Sequence, residues 1–184
     1  MKTTCKHCGE TFFAEGARGR TPTYCSHRCR QAAYRARVKA RPRPVFPEEM
    51  IEEPRWTRAD GKRPIRTDGR AASSVNPATW TSYSNVQQGP GDGYGFMLGG
   101  GYGCIDLDHC LTGGKLTPLA ARILKKNPEA FVEISTSGTG LHVFGLLPEA
   151  VGRKRDGIEV YSVARFIKVT GNVYRAGQLV DLKV

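Results

Sequence analysis

Four cysteines at positions 5, 8, 25 and 29 form the pattern C-x2-C-x16-C-x3-C, and no other feature restricts the fold of this chain as narrowly. Two close pairs on separate turns can bring four thiolates to one point around a cation, and tetrahedral zinc suits that ligand set. A segment of about 40 residues buries too little apolar surface to hold a fold without such a staple. His7 and His27 lie inside the two knuckles and allow a Cys3His set, but with both cysteine pairs complete they are expected beside the metal or in solvent; the plain alternative is four unliganded thiols. No apolar run approaches the roughly 20 residues of a membrane span, and MKTTCKHC lacks the apolar stretch that directs secretion. A cytoplasmic location without membrane contact is therefore expected, where cysteines meet metal sooner than they form disulfides.

Charge divides the chain. The net charge is +11, and residues 1–43 carry eleven Lys and Arg against two acids, so this segment holds nine of that surplus. A polyanionic partner is the expectation. After Cys29 the stretch RCRQAAYRARVKARPR is rich in helix formers and sets Arg28, Arg30, Arg35, Arg37 and Lys39 around Tyr34. Such a helix would track phosphates while offering few base-reading side chains, and its plainer reading is a solvated helix face. The segment resembles the short zinc ribbons ending YCS-x-x-CR-x-x-AYR-x-R found on small phage and actinobacterial proteins. RPRPVFPEEMIEEPRW follows, with prolines at 42, 44, 47 and 54 and a block of glutamates, and reads as a semi-rigid linker. The expected division is a zinc-binding basic module over 1–40, a linker over 41–55 and a larger domain over 56–184.

In the larger domain, YGFML (94–98) and CIDLD (104–108) read as strands joined by GGGYG, which suits a hairpin. TPLAARILKKN (117–127) has a helical apolar stripe at Leu119, Ile123 and Leu124, with Thr117 as cap and Pro118 in the first turn. FVEIST, LHVFGLL, GIEVYSV and RFIKVTG supply four more strands between glycine turns. One helix beside a largely antiparallel sheet predicts an α+β domain with an RRM-like split β-α-β core.

Alternation in CIDLDHC puts Asp106 and Asp108 on one face and Ile105 and Leu107 on the other. Two carboxylates about 6 to 7 Å apart along a strand repel unless a cation neutralises them, and hard divalent ions take such oxygen ligands. The plain alternative is a half-exposed strand with solvated acids. STSGTGLH (135–142) makes a tight glycine turn whose backbone N–H groups, at Gly138 among others, and Ser137 hydroxyl would receive phosphate oxygens, with His142 opening the returning strand. GIEVY adds Glu159, and Arg165 and Lys168 follow. Cys104 and Cys110 have no C-x-x-C partner and read as packing residues, and His109 reads as structural.

The order W-T-x-Y, YGFML, IDLDH, SGTGLH, then GIEVY with RFIKVTGN resembles the catalytic domain of archaeo-eukaryotic-type primase-polymerases of phages and plasmids, over about residues 55 to 175. KRPIRTDGRAASSVNPATWTSY (62–83) is similar to the segment that leads into that domain. The resemblance implies DNA priming or polymerisation by two-metal nucleotidyl transfer, in the host cytoplasm if the gene is a phage's. Asp106 and Asp108, and less closely Glu159, would bind Mg2+ or Mn2+. Ser137, Gly138 and His142 would hold the incoming nucleoside triphosphate, with Arg165 and the weaker match Lys168 as cations near its phosphates. Template, single-stranded or primed DNA, would contact the zinc module. The sequence ends with VTGNVYRAGQLVDLKV, which leaves no room for the helical region of longer relatives or for a helicase; either the zinc module would compensate by holding template or another polypeptide, a separate helicase among them, would supply the missing part.

Other chemistries fit less well. A non-catalytic zinc-dependent nucleic-acid-binding subunit of a replication complex would keep the basic arm but show no metal-dependent incorporation. A rolling-circle nickase needs paired metal-binding histidines and a nucleophilic tyrosine on a helix, whereas LHVFG offers one histidine. A zinc deaminase needs a glutamate near a P-C-x-x-C, which CKHCGE does not provide.

Overall fold

A computed structural model of the chain describes residues 2–14, 22–39 (side chains to residue 36) and 45–184. It divides into two compact units, Met1–Arg43 and Pro44–Val184. In the first, β1 (Lys2–Thr4) and β2 (Thr11–Phe13) form an antiparallel hairpin with Lys2 opposite Phe13 and Thr4 opposite Thr11. The turn between them closes through Cys5 N–H donating to Glu10 O at 2.9 Å and Gly9 N–H donating to Cys5 O at 3.0 Å. Gly9 takes φ of +76°, a conformation open to glycine at no steric cost. Helix α1 (His27–Lys39) begins with Ser26 Oγ accepting from Cys29 N–H at 3.2 Å, an N-cap that also fixes the last cysteine.

The second unit starts earlier than composition suggests. The Pro- and Glu-rich segment reads as a linker to residue 55, yet α2 (Glu48–Glu52) turns Met50 into the interior, and Phe46 is buried with it. Residues 40–44 of that segment lie outside the described residues. Trp56 Nε1 donates to Met50 O at 2.7 Å, tying α2 to the first strand of the domain.

That strand is β3 (Trp56–Asp60), followed by β4 (Arg63–Ile65), β5 (Gly93–Met97), β6 (Tyr102–Leu107), and the small hairpin β7 (Leu111–Thr112) and β8 (Lys115–Leu116). Helix α3 (Pro118–Lys126) precedes β9 (Phe131–Ile134), β10 (Leu141–Leu146), β11 (Arg153–Arg155), β12 (Ile158–Tyr161), β13 (Phe166–Val169) and β14 (Val173–Arg175). One sheet has four strands in the order β13-β5-β3-β4 and another six in the order β11-β12-β6-β10-β9-β14. Every pair in both is antiparallel. Because β6 and β9 both run antiparallel to β10 between them, they are parallel to each other, and α3 makes the crossover: a split β-α-β arrangement. The unit is mostly sheet with few helices, and no described helix is long and apolar enough to cross a membrane.

The expected hairpin over 94–108 does not form. Gly99 and Tyr102 exchange backbone hydrogen bonds at 3.1 and 3.3 Å, but β5 joins the four-stranded sheet and β6 the six-stranded one. Glycines at 99, 100 and 101, all with positive φ, let the chain turn and step between sheets.

Two apolar layers result. Ile105, Leu107, Leu141, Val143 and Val132 pack against Ala120, Ile123 and Leu124 of α3. The alternate residues Cys104, Phe144 and Phe131 face Trp56, Phe96, Leu98, Ile167 and Val169, with Phe46 and Met50 between. The second layer is aromatic: Trp56 lies 5.2 Å from both Phe46 and Phe96 and 4.7 Å from Tyr83, ring centre to ring centre. Alternation on β6, β9 and β10 thus decides which residues share the face of Cys104.

Candidate active site: a row of acids and a histidine

One residue beyond the aromatic layer, the same face of the six-stranded sheet becomes polar. Asp106 pairs directly with His142 on one side and Glu159 on the other; His142 pairs in turn with Glu133, and Glu159 with Lys154. Five strands therefore place Lys154, Glu159, Asp106, His142 and Glu133 in one cross-strand row, where directly opposed Cβ atoms lie about 4.5–5.5 Å apart. The Lys154 side chain is 69% exposed, those of Glu159, Asp106 and His142 are 10%, 18% and 9% exposed, and that of Glu133 is not exposed at all. The row is open at one edge and sealed at the other.

Each carboxylate in it meets different company. His142 Nδ1 lies 2.9 Å from Glu133 Oε1, and its Nε2 lies 3.8 Å from Asp106 Oδ1. Burial pushes the Asp106 carboxyl above its ordinary value; Asp108 and Glu159 push the same way, while His142 and Arg165 oppose. Glu159 is held below its ordinary value by hydrogen bonds from Lys154 Nζ and the Tyr161 hydroxyl. Arg165, exposed in the loop before β13, stacks its guanidinium over the Tyr161 ring at 4.1 Å and leaves its charge near Asp106 and Glu159.

The remaining sequence candidates lie around this row or away from it. Strand β6 ends at Leu107, so Asp108 sits in the following turn, exposed, with its charge still felt at Asp106. The β9–β10 turn abuts the same strand end: a Cβ on Gly140 would lie 2.9 Å from Leu107 O. Ser137 Oγ lies 3.1 Å from the hydroxyls of both Ser135 and Thr139, which gives the turn a cluster of rotatable donors. Gly138 supplies its φ of +75°, but its N–H donates to Ser135 O at 2.9 Å and is not turned outward. Lys168 is not brought to the site. Its neighbours Ile167 and Val169 enter the inter-sheet layer, so it projects from the opposite face and pairs with Asp92 at 2.8 Å. His109 is exposed at φ of +47°, and Cys104 and Cys110 are buried in the apolar layers.

Among the described residues, one group of metal-type side chains has donor atoms all within 4.8 Å: Cys5, Cys8, Cys25 and Cys29. Asp106, Asp108 and Glu159 do not converge that closely. The Cys8–Cys25 and Cys25–Cys29 sulfurs are 3.6 and 3.4 Å apart, near the edge of about 3.8 Å in a tetrahedron built on a Zn–S bond of about 2.3 Å. Hydrogen bonding to Cys29, Cys5 and Cys8 pushes the Cys25 thiol up to about 12. Four thiolates in that space need a cation, and the donor set fits zinc. Arg28, Arg30, Arg35 and Tyr34 are exposed on α1, while the side chains of Arg37 and Lys39 lie outside the described residues.

Sequence reasoning passed over Glu133, Lys154 and Tyr161. The signal for Glu133 was present: alternation in FVEI puts it on the face of Phe131, an acid where an apolar residue is expected. Lys154 stands in an exposed GRKRDG stretch that reads as a solvated turn, and Tyr161 in a strand that reads as apolar.

No family model matches the chain. Among curated proteins, it is 37% identical over 121 residues to the DNA primase-polymerase of Nitratiruptor phage NrS-1. That match covers 58% of this chain and 17% of the phage protein, so the chain spans less than a fifth of that relative's length.

Proposed function

We propose that the second unit carries out template-dependent nucleotidyl transfer of the DNA primase-polymerase kind and that the N-terminal unit holds template. What carries the reading is the row of Glu159, Asp106 and His142, with Asp108 and the hydroxyl-rich turn at its end, in a chain similar to a phage DNA primase-polymerase. Asp106 is a half-buried carboxyl beside two more acids, and a hard divalent cation with oxygen preference supplies the charge such a set lacks. Asp106 and Asp108 would hold Mg2+ or Mn2+. Such ions, when bound, neutralise phosphate oxygens and activate a 3'-hydroxyl. Glu159 would join them through the lone pair that each oxygen keeps beside its hydrogen bond from Lys154 or Tyr161. His142 and Arg165 would act as electrostatic clamps on the triphosphate, and the Ser137 hydroxyl would receive a phosphate oxygen. Lys168, paired with Asp92 on the other face, has no part in this arrangement. Cys5, Cys8, Cys25 and Cys29 would hold zinc, and the exposed cations of α1 would follow the backbone of single-stranded or primed DNA.

The test is incorporation of nucleoside triphosphates on primed and unprimed single-stranded DNA with Mg2+ or Mn2+. The Asp106→Ala/Asp108→Ala pair is expected to lower product by at least about 100-fold. Equal product from wild type and variant would overturn the reading and leave a non-catalytic binding module.

A further inference from the structure

Glu133 has no role in the reaction proposed above, yet it is the most firmly held side chain of the row. It is fully buried on the central side of β9. Oε2 accepts the backbone N–H groups of Thr170 and Gly171, each at 3.0 Å, with Thr170 Oγ1 at 3.4 Å. Oε1 faces His142 Nδ1 at 2.9 Å. The two amides can only donate, so the carboxylate is fixed in place as an acceptor and presents its other oxygen to the imidazole.

We infer that Glu133 is a positioning residue for His142: it keeps a proton on Nδ1 and so presents Nε2 to Asp106 and the open end of the row. Nε2 lies 3.8 Å from Asp106 Oδ1, beyond hydrogen-bond length, and is placed to meet a ligand oxygen there. That the ligand is a nucleotide phosphate rests on the proposed function; the location of the proton does not. Through Thr170 and Gly171, just past β13, the same carboxylate also ties the two sheets together at the site. Glutamine cannot replace it fully. Its NH2 group would set donor against donor, either at Nδ1 or at the two amides.

Nitrogen-15 NMR of the imidazole rings in the full chain tests this directly, with the His142 signals identified by their loss in His142→Ala. A proton on Nδ1, alone or together with one on Nε2, is expected, and a ring whose single proton sits on Nε2 would overturn the inference. This measurement uses wild-type protein and needs no variant to fold. In Glu133→Gln the proton should move to Nε2 and kcat for incorporation should fall at least about 10-fold. A shifted proton with unchanged kcat would overturn the positioning role. If wild-type protein incorporates nothing, the polymerase reading fails while the NMR result still decides where the proton resides.

Discussion

The two units of this chain are held together by opposite means. In the first, the buried hydrophobic residues among those described are Cys5 and Ala14, and its hairpin is joined to its helical segment by the cluster of four sulfurs and by Lys6 N–H donating to Thr23 O at 3.1 Å. In the second, α3 covers one face of a six-stranded sheet and a second sheet covers the other, so two layers are closed by apolar side chains. The candidate metal ligands of one unit lie at its centre, whereas the candidate acids of the other are set at the margin of an apolar core.

The widest separation between the units should come from removing metal. Zinc binding to small cysteine modules is worth about 10–16 kcal/mol near neutral pH, far more than this hairpin and helix can bury. A strong chelator, or Cys25→Ser, should leave residues 2–14 and 22–39 open to protease and fast in amide exchange while residues 45–184 keep their protection. Loss of protection in both units together would show that the second also depends on the metal. The reverse cut is smaller. Phe131 is 1% exposed in the inter-sheet layer, 6.2 Å from Phe144 and 5.9 Å from Phe46, and Phe131→Ala should cost about 3–5 kcal/mol in urea unfolding of the second unit. Zinc content should not change.

The same contrast governs how much could be read in advance. The cysteine spacing is a local signal that needs no distant partner, so the sulfur cluster is legible from four positions. The split around β10 is legible as well, because Ile105, Leu107, Val143 and Val132 alternate with Cys104, Asp106, Phe144 and Phe131. Phe46 and Met50 are not, since a run of prolines and glutamates hides two residues whose partners lie on β3 and β5. Nor does GGGYG reveal that it connects two sheets, because a hairpin and a sheet change need the same flexible glycines. At the site, Asp106, His142 and Glu159 announce themselves by residue type. Glu133 shows only as an acid out of pattern in FVEI, and its role does not show, for the donors that justify its burial are Thr170 and Gly171, 37 and 38 residues further along the chain.

The smallest effect is also the one that separates function from stability most cleanly. Burial raises the Asp106 carboxyl above its ordinary 3.8, reinforced by Asp108 and Glu159 and only partly opposed by His142 and Arg165. The folded state therefore holds this proton more tightly than the unfolded state does. Stability contributed by the group is full below 3.8 and declines as pH rises from there through the raised folded value. Asp106→Asn removes that penalty. Without divalent metal, the variant should match wild type in acid and become the more stable of the two as pH rises, by less than the core substitution costs, while losing incorporation at every pH. Urea midpoints of the two proteins measured across that range check it: a gap that widens with pH marks an acid kept for chemistry against the interest of the fold. A constant or shrinking gap would mean that His142 and Arg165 already balance the charge and that the row is stable as it stands.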